Sequence, residues 1–177
     1  ASVEVRGLPK LQGTVAVNLA LVLKFMPAYL FAPEPHEPVP TRLDAADDPF
    51  LFNQGPARGL GKVRFHDWHE AYAVHAHLPN VAAFAAQAQS LADLLAANPP
   101  TDAQQQDFDL MLGIGELFTL IVYGQLICEQ ASIIGVDDDA LESIFDFLIR
   151  DFSTLAVALH GKTGSNDVLG DVARSVS

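Results

Sequence analysis

Histidine is the residue type in this chain best suited to bind a metal ion, and four of its six histidines lie between His66 and His77. A di-iron helical bundle needs two Glu-x-x-His motifs and two further glutamates, and the sequence contains no Glu-x-x-His. On a helix His75 and His77 would point to different faces. The sequence therefore predicts surface histidines and no metal site.

Other chemical motifs are weak or absent in the sequence. It has no Gly-x-Ser-x-Gly, no complete Gly-x-x-x-x-Gly-Lys-Ser/Thr phosphate loop, since Gly161-Lys162-Thr163 lacks the first glycine, and no Gly-x-Gly-x-x-Gly. Lys62 and Arg64 lie in a glycine-containing segment that could hold a phosphate, but a solvated turn is the preferred interpretation. Cys128, the one cysteine, lies in an apolar helical pattern, which predicts a buried, inert thiol in a reducing compartment.

The chain is strongly acidic, with 177 residues, a net charge of −12 and a pI near 4.6. Such a surface repels nucleic-acid phosphates and anionic lipids, so neither is an expected partner. No Lys or Arg occurs between Phe65 and Ile149. This stretch is interpreted as a solvated acidic face, and the alternative is an interface with a basic partner.

Hydropathy and the first residues bear on location. The longest apolar run, Leu117–Cys128, is shorter than the ~20 residues that a bilayer requires, and no basic-then-apolar signal segment is present. The sequence therefore predicts a cytoplasmic chain without a membrane span. Because the chain opens on Ala1 and soon enters an apolar helical pattern, we expect an interior cut, a processed chain or half of a split enzyme.

Proline, glycine and capping residues divide the first part of the chain. Residues 1–14 read as an extended arm, and Thr14 is a good N-cap for a helix over Val15–Phe31, which Pro27 is expected to kink or end. The Pro-rich residues 32–66 predict a strap whose aromatic side chains insert into a neighbouring domain or subunit.

Residues 67–162 predict a C-terminal helical extension. Apolar spacing and caps indicate four helices: Asp67–His77, Pro79 or Asn80 to Ala97, a longest one capped by Thr101 and Asp102 and closed by Gly135, and a last one capped by Asp137–Asp139 and ended by Gly161. Glycines inside the longest helix predict close helix packing. Residues 163–177 are expected to be a mobile tail. The predicted fold is therefore all-α, a small helical bundle with a long Pro-rich strap.

One short turn followed by a helix changes the functional interpretation. Leu11-Gln12-Gly13-Thr14 resembles the Glu-Gly-Thr turn of the flavin-dependent acyl-CoA dehydrogenases. The resemblance extends, in the same order, to the long-form actinobacterial branch and covers roughly residues 5–162. It is carried by Asn18–Phe31, Phe50–Lys62, Gly115–Gln125, Arg150–Ser153 and Leu159–Lys162.

The resemblance implies the C-terminal part of an acyl-CoA dehydrogenase-like fold and a specific reaction. Such enzymes remove the α-proton of an acyl-CoA and transfer the β-hydride to FAD, giving a trans-2-enoyl-CoA. By position, Gln12 stands where the family has its catalytic glutamate base, Gly13 lies beside the substrate thioester, and Thr14, Val15 and Ala16 lie against FAD. The resemblance implies FAD shared with another chain, an acyl-CoA substrate and room for an electron-transfer partner.

Gln12 departs from the family pattern, because a carboxamide does not accept a proton at neutral pH although it is nearly isosteric with glutamate. Gln12 is then an engineered change, the mark of a pseudo-catalytic subunit, or a sign that the base comes from elsewhere. The family's N-terminal helical domain and β-barrel also precede this turn, so a larger N-terminal chain is the expected oligomeric partner. The alternative is a non-catalytic helical interaction or oligomerisation subunit derived from the family.

Overall fold

A computed structural model describes residues 23–34 and 64–162 of the chain. Helices cover 82% of these residues and no strand occurs among them, which confirms the predicted all-α class and small bundle. The helices are α1 (residues 23–31), α2 (Trp68–Val74), α3 (Pro79–Ala97), α4 (Asp102–Gln105), α5 (Phe108–Ile134) and α6 (Asp138–Lys162).

The two longest helices, α5 and α6, form an antiparallel hairpin. Gly113, near the start of α5, lies against Leu159, near the end of α6. Helix α3 runs parallel to α6. The Asn80 backbone N–H at the start of α3 donates to the Glu142 carboxylate, and the Gln87 amide further along α3 donates to Ser153 Oγ, which is also further along α6.

The short helix α2 places an aromatic residue in the middle of the bundle. Tyr72 contacts Phe84 of α3 and Phe145 of α6, and its hydroxyl donates to the carbonyl oxygen of Ile121 in α5 at 2.7 Å. Phe84 also packs edge-on against Phe152, with ring centroids 5.8 Å apart. Each of these buried rings contributes about 1.5–3 kcal/mol by leaving water, so α2, α3, α5 and α6 share one core.

The predicted caps explain most helix boundaries. Pro79 opens α3, and Gly135 ends α5 in the left-handed conformation with φ 72°. The Asp137 carboxylate accepts from the backbone N–H of Ala140 at the start of α6. These predictions are confirmed.

The predicted longest helix is in fact two helices. Thr101 caps only the four-residue helix α4, through a capping box with Gln104. The Asp107 carboxylate then accepts from the backbone N–H groups of Asp109 and Leu110 and starts α5. An aspartate that bonds the backbone locally competes with continuing the preceding helix, which accounts for the break.

Two predicted helix ends were wrong. Helix α2 ends at Val74 rather than His77, because residues 75–77 form a turn. Gly161 lies inside α6, which continues to Lys162. Helix α1 ends at residue 31, as predicted, and Pro27 lies inside it without ending it. Proline costs a helix one hydrogen bond, and the burial of Met26 and Tyr29 on either side of Pro27 offsets that loss.

Apolar residues at helical spacing predict that Leu126 of α5 and Ile144 of α6 face the core, but both are exposed. Leu126 is 54% exposed and Ile144 is 37% exposed, because both lie at the margin between these helices. The other apolar residues that this spacing predicts on the core face of α6 are buried or partly buried: Leu141, Phe145, Leu148, Phe152, Leu155 and Leu159. The spacing of apolar residues thus predicted which side of each helix faces the core, but not how many residues on that side are buried.

Glycines inside α5 do mark close packing, as predicted. A Cβ on Gly124 would lie 2.5 Å from Tyr72 Oη and 2.8 Å from Phe84 Cε1. A Cβ on Gly113 would lie 2.8 Å from Leu159 Cδ1. These glycines let α2, α3 and α6 approach α5 closely.

The two ends of the Pro-rich segment lie side by side. The Glu34 N–H donates to the Phe65 carbonyl at 2.8 Å, the Asp67 N–H donates back to the Glu34 carbonyl at 2.9 Å, and Arg64 pairs with the Glu34 carboxylate. The predicted arm over residues 1–14, the strap between residues 35 and 63, and the tail over 163–177 lie outside the described residues.

Within the described ranges, one helix is long and apolar enough to cross a membrane by length and composition alone. It is α5, and 56% of its most apolar window is buried inside the bundle. A core helix of a soluble protein has the same properties, and the buried amide of Gln125 lies in the middle of α5. The helix is therefore compatible with the soluble chain that the sequence predicts.

Candidate functional site

The predicted site residues Gln12, Gly13, Thr14, Val15 and Ala16 lie outside the described residues. The described part of the chain begins seven residues after Ala16, inside the helix that was predicted to follow the turn. The described residues of this helix show how it is anchored on the bundle.

Helix α1 is anchored by aromatic contacts and a buried hydrogen bond. Tyr29 is 3% exposed and packs edge-on against Phe65 and Phe118, with ring centroids 5.5 and 5.2 Å apart. Its hydroxyl donates to Oε1 of Gln125, whose Nε2 in turn donates to the Glu129 carboxylate at 2.7 Å. This polar chain joins α1 to the middle of α5.

Burial keeps both tyrosine hydroxyls in this region protonated. The pKa of Tyr29 is raised above its usual value by burial, and then by the negative charges of Glu129 and Asp67. Burial likewise raises the pKa of Tyr72. Both groups therefore act as hydrogen-bond donors and as positioning groups, and neither is suited to act as a phenolate base.

His69 has a polar partner at each ring nitrogen. Nδ1 lies 2.6 Å from an Asp67 carboxylate oxygen, and Nε2 lies 2.8 Å from Oε1 of Gln89, whose amide nitrogen donates to Asp93. Both ring nitrogens therefore have a polar partner within hydrogen-bond distance. The ring also stacks on Trp68, with centroids 3.7 Å apart. This arrangement links α2 to α3.

The other histidines of this stretch take part in separate contacts. His75 Nε2 lies 2.9 Å from Ser132 Oγ, whereas His77 Nε2 lies 3.4 Å from an Asp138 carboxylate oxygen. In the two described ranges no group of three or more His, Cys, Asp or Glu side chains is arranged to hold a metal ion. The structure therefore does not bring the four sequence-adjacent histidines into one ligand set.

Cys128 is fully buried, as predicted. Burial, with a further contribution from the neighbouring carboxylate of Glu129, raises the pKa of the thiol to about 12. Because the thiolate is the nucleophile, this cysteine is unreactive in the folded chain.

An open apolar groove lies between α5 and α6 and has a volume of about 400 Å³. Tyr123 and Leu126 border it on the α5 side and Ile144 on the α6 side. Its other lining residues are Ile127, Gln130, Ala131, Val136 and Leu141. An exposed apolar surface of this kind is typical of an interaction site.

Sequence reasoning missed both the α1 anchor and the groove. The signal for the anchor was Gln125, a polar residue in an apolar helical run, but its partner Tyr29 is 96 residues away. The signal for the groove was that apolar residues extend around α5 beyond the single face that packs on the core.

Comparisons with protein-family models, curated proteins and solved structures find no match for this chain.

Proposed function

We propose that this chain is part of a flavoenzyme that dehydrogenates acyl-CoA thioesters at the α,β position. In this proposal the α-proton is removed, the β-hydride passes to FAD and a trans-2-enoyl-CoA is formed. A larger chain supplies most of the FAD site and of the acyl-CoA channel, and the assembly is cytoplasmic.

The proposal is supported by the way the segments that carry the resemblance pack. Tyr29 belongs to the segment Asn18–Phe31, and its partners Phe118 and Gln125 belong to the segment Gly115–Gln125. Two segments that are far apart in sequence thus share one buried contact.

The chemistry of position 12 follows from the proposed alignment. The base must be ionised and close to the α-carbon, and an amide cannot take that role. Loss of the base lowers the rate by orders of magnitude while binding is largely preserved. Gln12 is therefore the position at which activity is gained or lost, whether it is engineered or natural, unless another residue supplies the base.

The test begins with the complex. The tagged chain is isolated from its natural source, and visible flavin absorbance is measured in the fraction where a second, larger polypeptide co-elutes. We expect flavin only in that fraction, and the purified chain titrated with FAD should give no binding isotherm. Tight FAD binding by the chain alone would contradict the shared site.

Enoyl-CoA formation is then measured for the complex with Gln12 and with Gln12→Glu. Under the proposal the Gln12→Glu complex oxidises acyl-CoA faster by about two or more orders of magnitude, the typical value of a general base. The matched control is Gln106→Glu, the same chemical change at an exposed position between α4 and α5, which should leave the rate unchanged.

A second candidate function is a non-catalytic helical interaction subunit. Two observations favour it: the amide at position 12, and the exposed apolar groove between α5 and α6. A complex with the partner that forms no enoyl-CoA even with Gln12→Glu would favour this candidate over the enzyme.

A further inference from the structure

We propose that the groove between α5 and α6 binds a basic amphipathic helix of a partner protein. This inference does not depend on the flavoenzyme proposal, because it uses only described residues of the helical extension. It is carried by the shape of the groove, the charge around it and the length of the surface.

The groove is apolar and open to solvent. Tyr123 and Leu126 are 56% and 54% exposed, yet they border a floor of partly buried Ile127 and buried Leu141. An apolar face of a partner that covers these side chains would remove them from water, which stabilises the complex by about 25 cal/mol per Å² of apolar surface buried. A helix recognised in this way presents apolar residues at positions i, i+3, i+4 and i+7.

Carboxylates continue both sides of the groove. Seven residues make almost two helical turns, so residues at this spacing lie on one face. On α5, Glu116 lies seven residues before Tyr123, and on α6, Asp151 lies seven residues after Ile144. Asp137 immediately precedes α6, seven residues before Ile144. All three carboxylates are exposed. Because the two helices are antiparallel, Glu116 and Asp151 flank one end of the groove and Asp137 the other.

In the part of the chain that the structure describes, none of the four ion pairs involves these three carboxylates. Residues 64–162 contain 14 acidic and three basic side chains, a net charge of −11. Of the three bases, Arg150 is bonded to Asp146 at 2.7 Å, and Arg64 is paired with Glu34. Complementary charge on a partner must therefore come from Lys or Arg.

The same charge argues against the other occupants. A second copy would bring one acidic border against another, which repels, and anionic lipid heads would be repelled likewise. The distance along α6 from Asp137 to Asp151 is about 21 Å at 1.5 Å per residue. The groove therefore fits a helix of about four turns with apolar residues on one face and basic residues beside them.

The test uses the full chain and synthetic peptides of about 18 residues, or five turns. The first peptide has Leu at the i, i+3, i+4, i+7 positions and Lys elsewhere; the second has Glu in place of Lys; the third is a scrambled, non-amphipathic version of the first. Binding is followed by fluorescence anisotropy at low and high salt. We expect only the Lys peptide to bind, and more weakly as salt rises.

Matched variants locate the site. Leu126→Ser should weaken binding of the Lys peptide about tenfold or more, as loss of an interface anchor does. Val157→Ser, at an equally exposed apolar position of α6 outside the groove, should have no effect. Asp137→Asn with Asp151→Asn should weaken binding several-fold and reduce its salt dependence, whereas Asp93→Asn with Asp102→Asn, an equal change in charge at exposed positions outside the groove, should not.

Several results would overturn the proposal. One is equal binding of the Lys and Glu peptides, or equal loss with Leu126→Ser and Val157→Ser. Another is a dimer in analytical ultracentrifugation that Leu126→Ser disrupts, because a second copy would then be the occupant. A third is binding to phosphatidylserine vesicles that Leu126→Ser abolishes, because the groove would then be a lipid surface. Circular dichroism of each variant confirms that its fold is retained.

Discussion

At the scale of single residues, the contact between Tyr29 and Gln125 is the buried polar link between α1 and the bundle. Gln125 is 6% exposed, and both atoms of its amide are used, one by Tyr29 and one by Glu129. A buried acceptor that loses its donor retains the cost of leaving water. Loss of either the Tyr29 donor or the Gln125 acceptor alone should therefore destabilise the fold.

The Tyr29→Phe variant tests whether the hydrogen bond to Gln125 stabilises the fold. The ring contacts with Phe65 and Phe118 are retained, but Gln125 Oε1 loses its donor. We expect the free energy of unfolding in urea to fall by about 1–3 kcal/mol. Tyr123→Phe, at a tyrosine that is 56% exposed, should change it by less than about 0.5 kcal/mol.

The double variant Tyr29→Phe with Gln125→Met supplies the decisive comparison. If the loss in Tyr29→Phe comes from an unpaired buried amide, removing the amide should make the double variant less unstable than the sum of the single changes. Strict additivity of the two single changes would show that the hydrogen bond contributes no coupling.

The Cys128 thiol gives a prediction about pH. Its pKa in the folded chain is raised to about 12 from a usual 9.0, so the unfolded chain loses this proton first as pH rises. Stability from this group should therefore be constant below about pH 8 and fall as pH rises from 9 toward 12. Urea unfolding at pH 8 and pH 10 measures the change, and Cys128→Ala should lack this part of it.

Thiol reactivity is an independent readout of the same property. At pH 8 the folded chain should react with a disulfide reagent far more slowly than the urea-unfolded chain, because the buried thiol is almost entirely protonated. Equal rates in the two states would contradict the burial of Cys128.

At this scale the sequence was a good guide to some residues and a poor guide to others. Burial of Cys128 could be predicted because it depends on the helical period of neighbouring apolar residues. The role of Gln125 could not, because its donor comes from a distant helix. Gln12 and its neighbours remain predictions, since they lie outside the described residues.

At the scale of the helices, local chemistry set the boundaries that could be predicted. Proline at the start of α3 and glycine after α5 act within a few residues, so sequence alone located them. The break between α4 and α5 was missed because Asp107 can lie either inside a helix or at its cap. Its capping bonds to Asp109 and Leu110 decide between the two, and these bonds are visible only in the structure.

Two glycines on different helices lead to opposite predictions for the same substitution. Gly124→Ala would place a Cβ 2.5 Å from Tyr72 Oη and 2.8 Å from Phe84 Cε1, and both rings are held in the core. Overpacking of this kind costs about 1–3 kcal/mol. Gly161→Ala meets no atom within 4 Å in helix α6, so it should be neutral or stabilise by up to about 1 kcal/mol. Thermal unfolding of both variants followed by circular dichroism measures the contrast.

The difference in stability between the two variants tests how closely the helices pack around Gly124. If Gly124→Ala were as stable as Gly161→Ala, α2 and α3 would not lie as close to α5 as the structure has them. A loss in Gly161→Ala would instead indicate that position 161 is not helical.

At the scale of the whole molecule, helix class could be predicted and helix arrangement could not. Apolar periodicity indicated which face of α6 is buried, but not that α3 runs parallel to it or that Tyr72 fills the centre. Those features depend on which faces meet, which distant residues decide together. The exposure of Leu126 and Ile144 follows from the same arrangement, because no described helix covers that side of the hairpin.

The negative charge of the whole molecule should make its stability depend on salt. A net charge of −11 over residues 64–162 repels itself in the compact state, and four ion pairs, two of them with histidine, offset little of it in the described residues. Salt shortens the reach of this repulsion from about 30 Å at 0.01 M to about 10 Å at 0.1 M. The urea midpoint at pH 7 should therefore rise with NaCl, and equally with KCl, since screening depends on ionic strength alone.

The variant Asp93→Asn isolates the cause. Removing this negative charge should raise the midpoint at low salt and flatten its dependence on salt, because less repulsion is left to screen. The Asn side chain at position 93 can still accept from Gln89, so that hydrogen bond is preserved. A midpoint that falls as salt rises would mean that attractive ion pairs outweigh the repulsion, and the acidic helices would then stabilise the fold by their pairing.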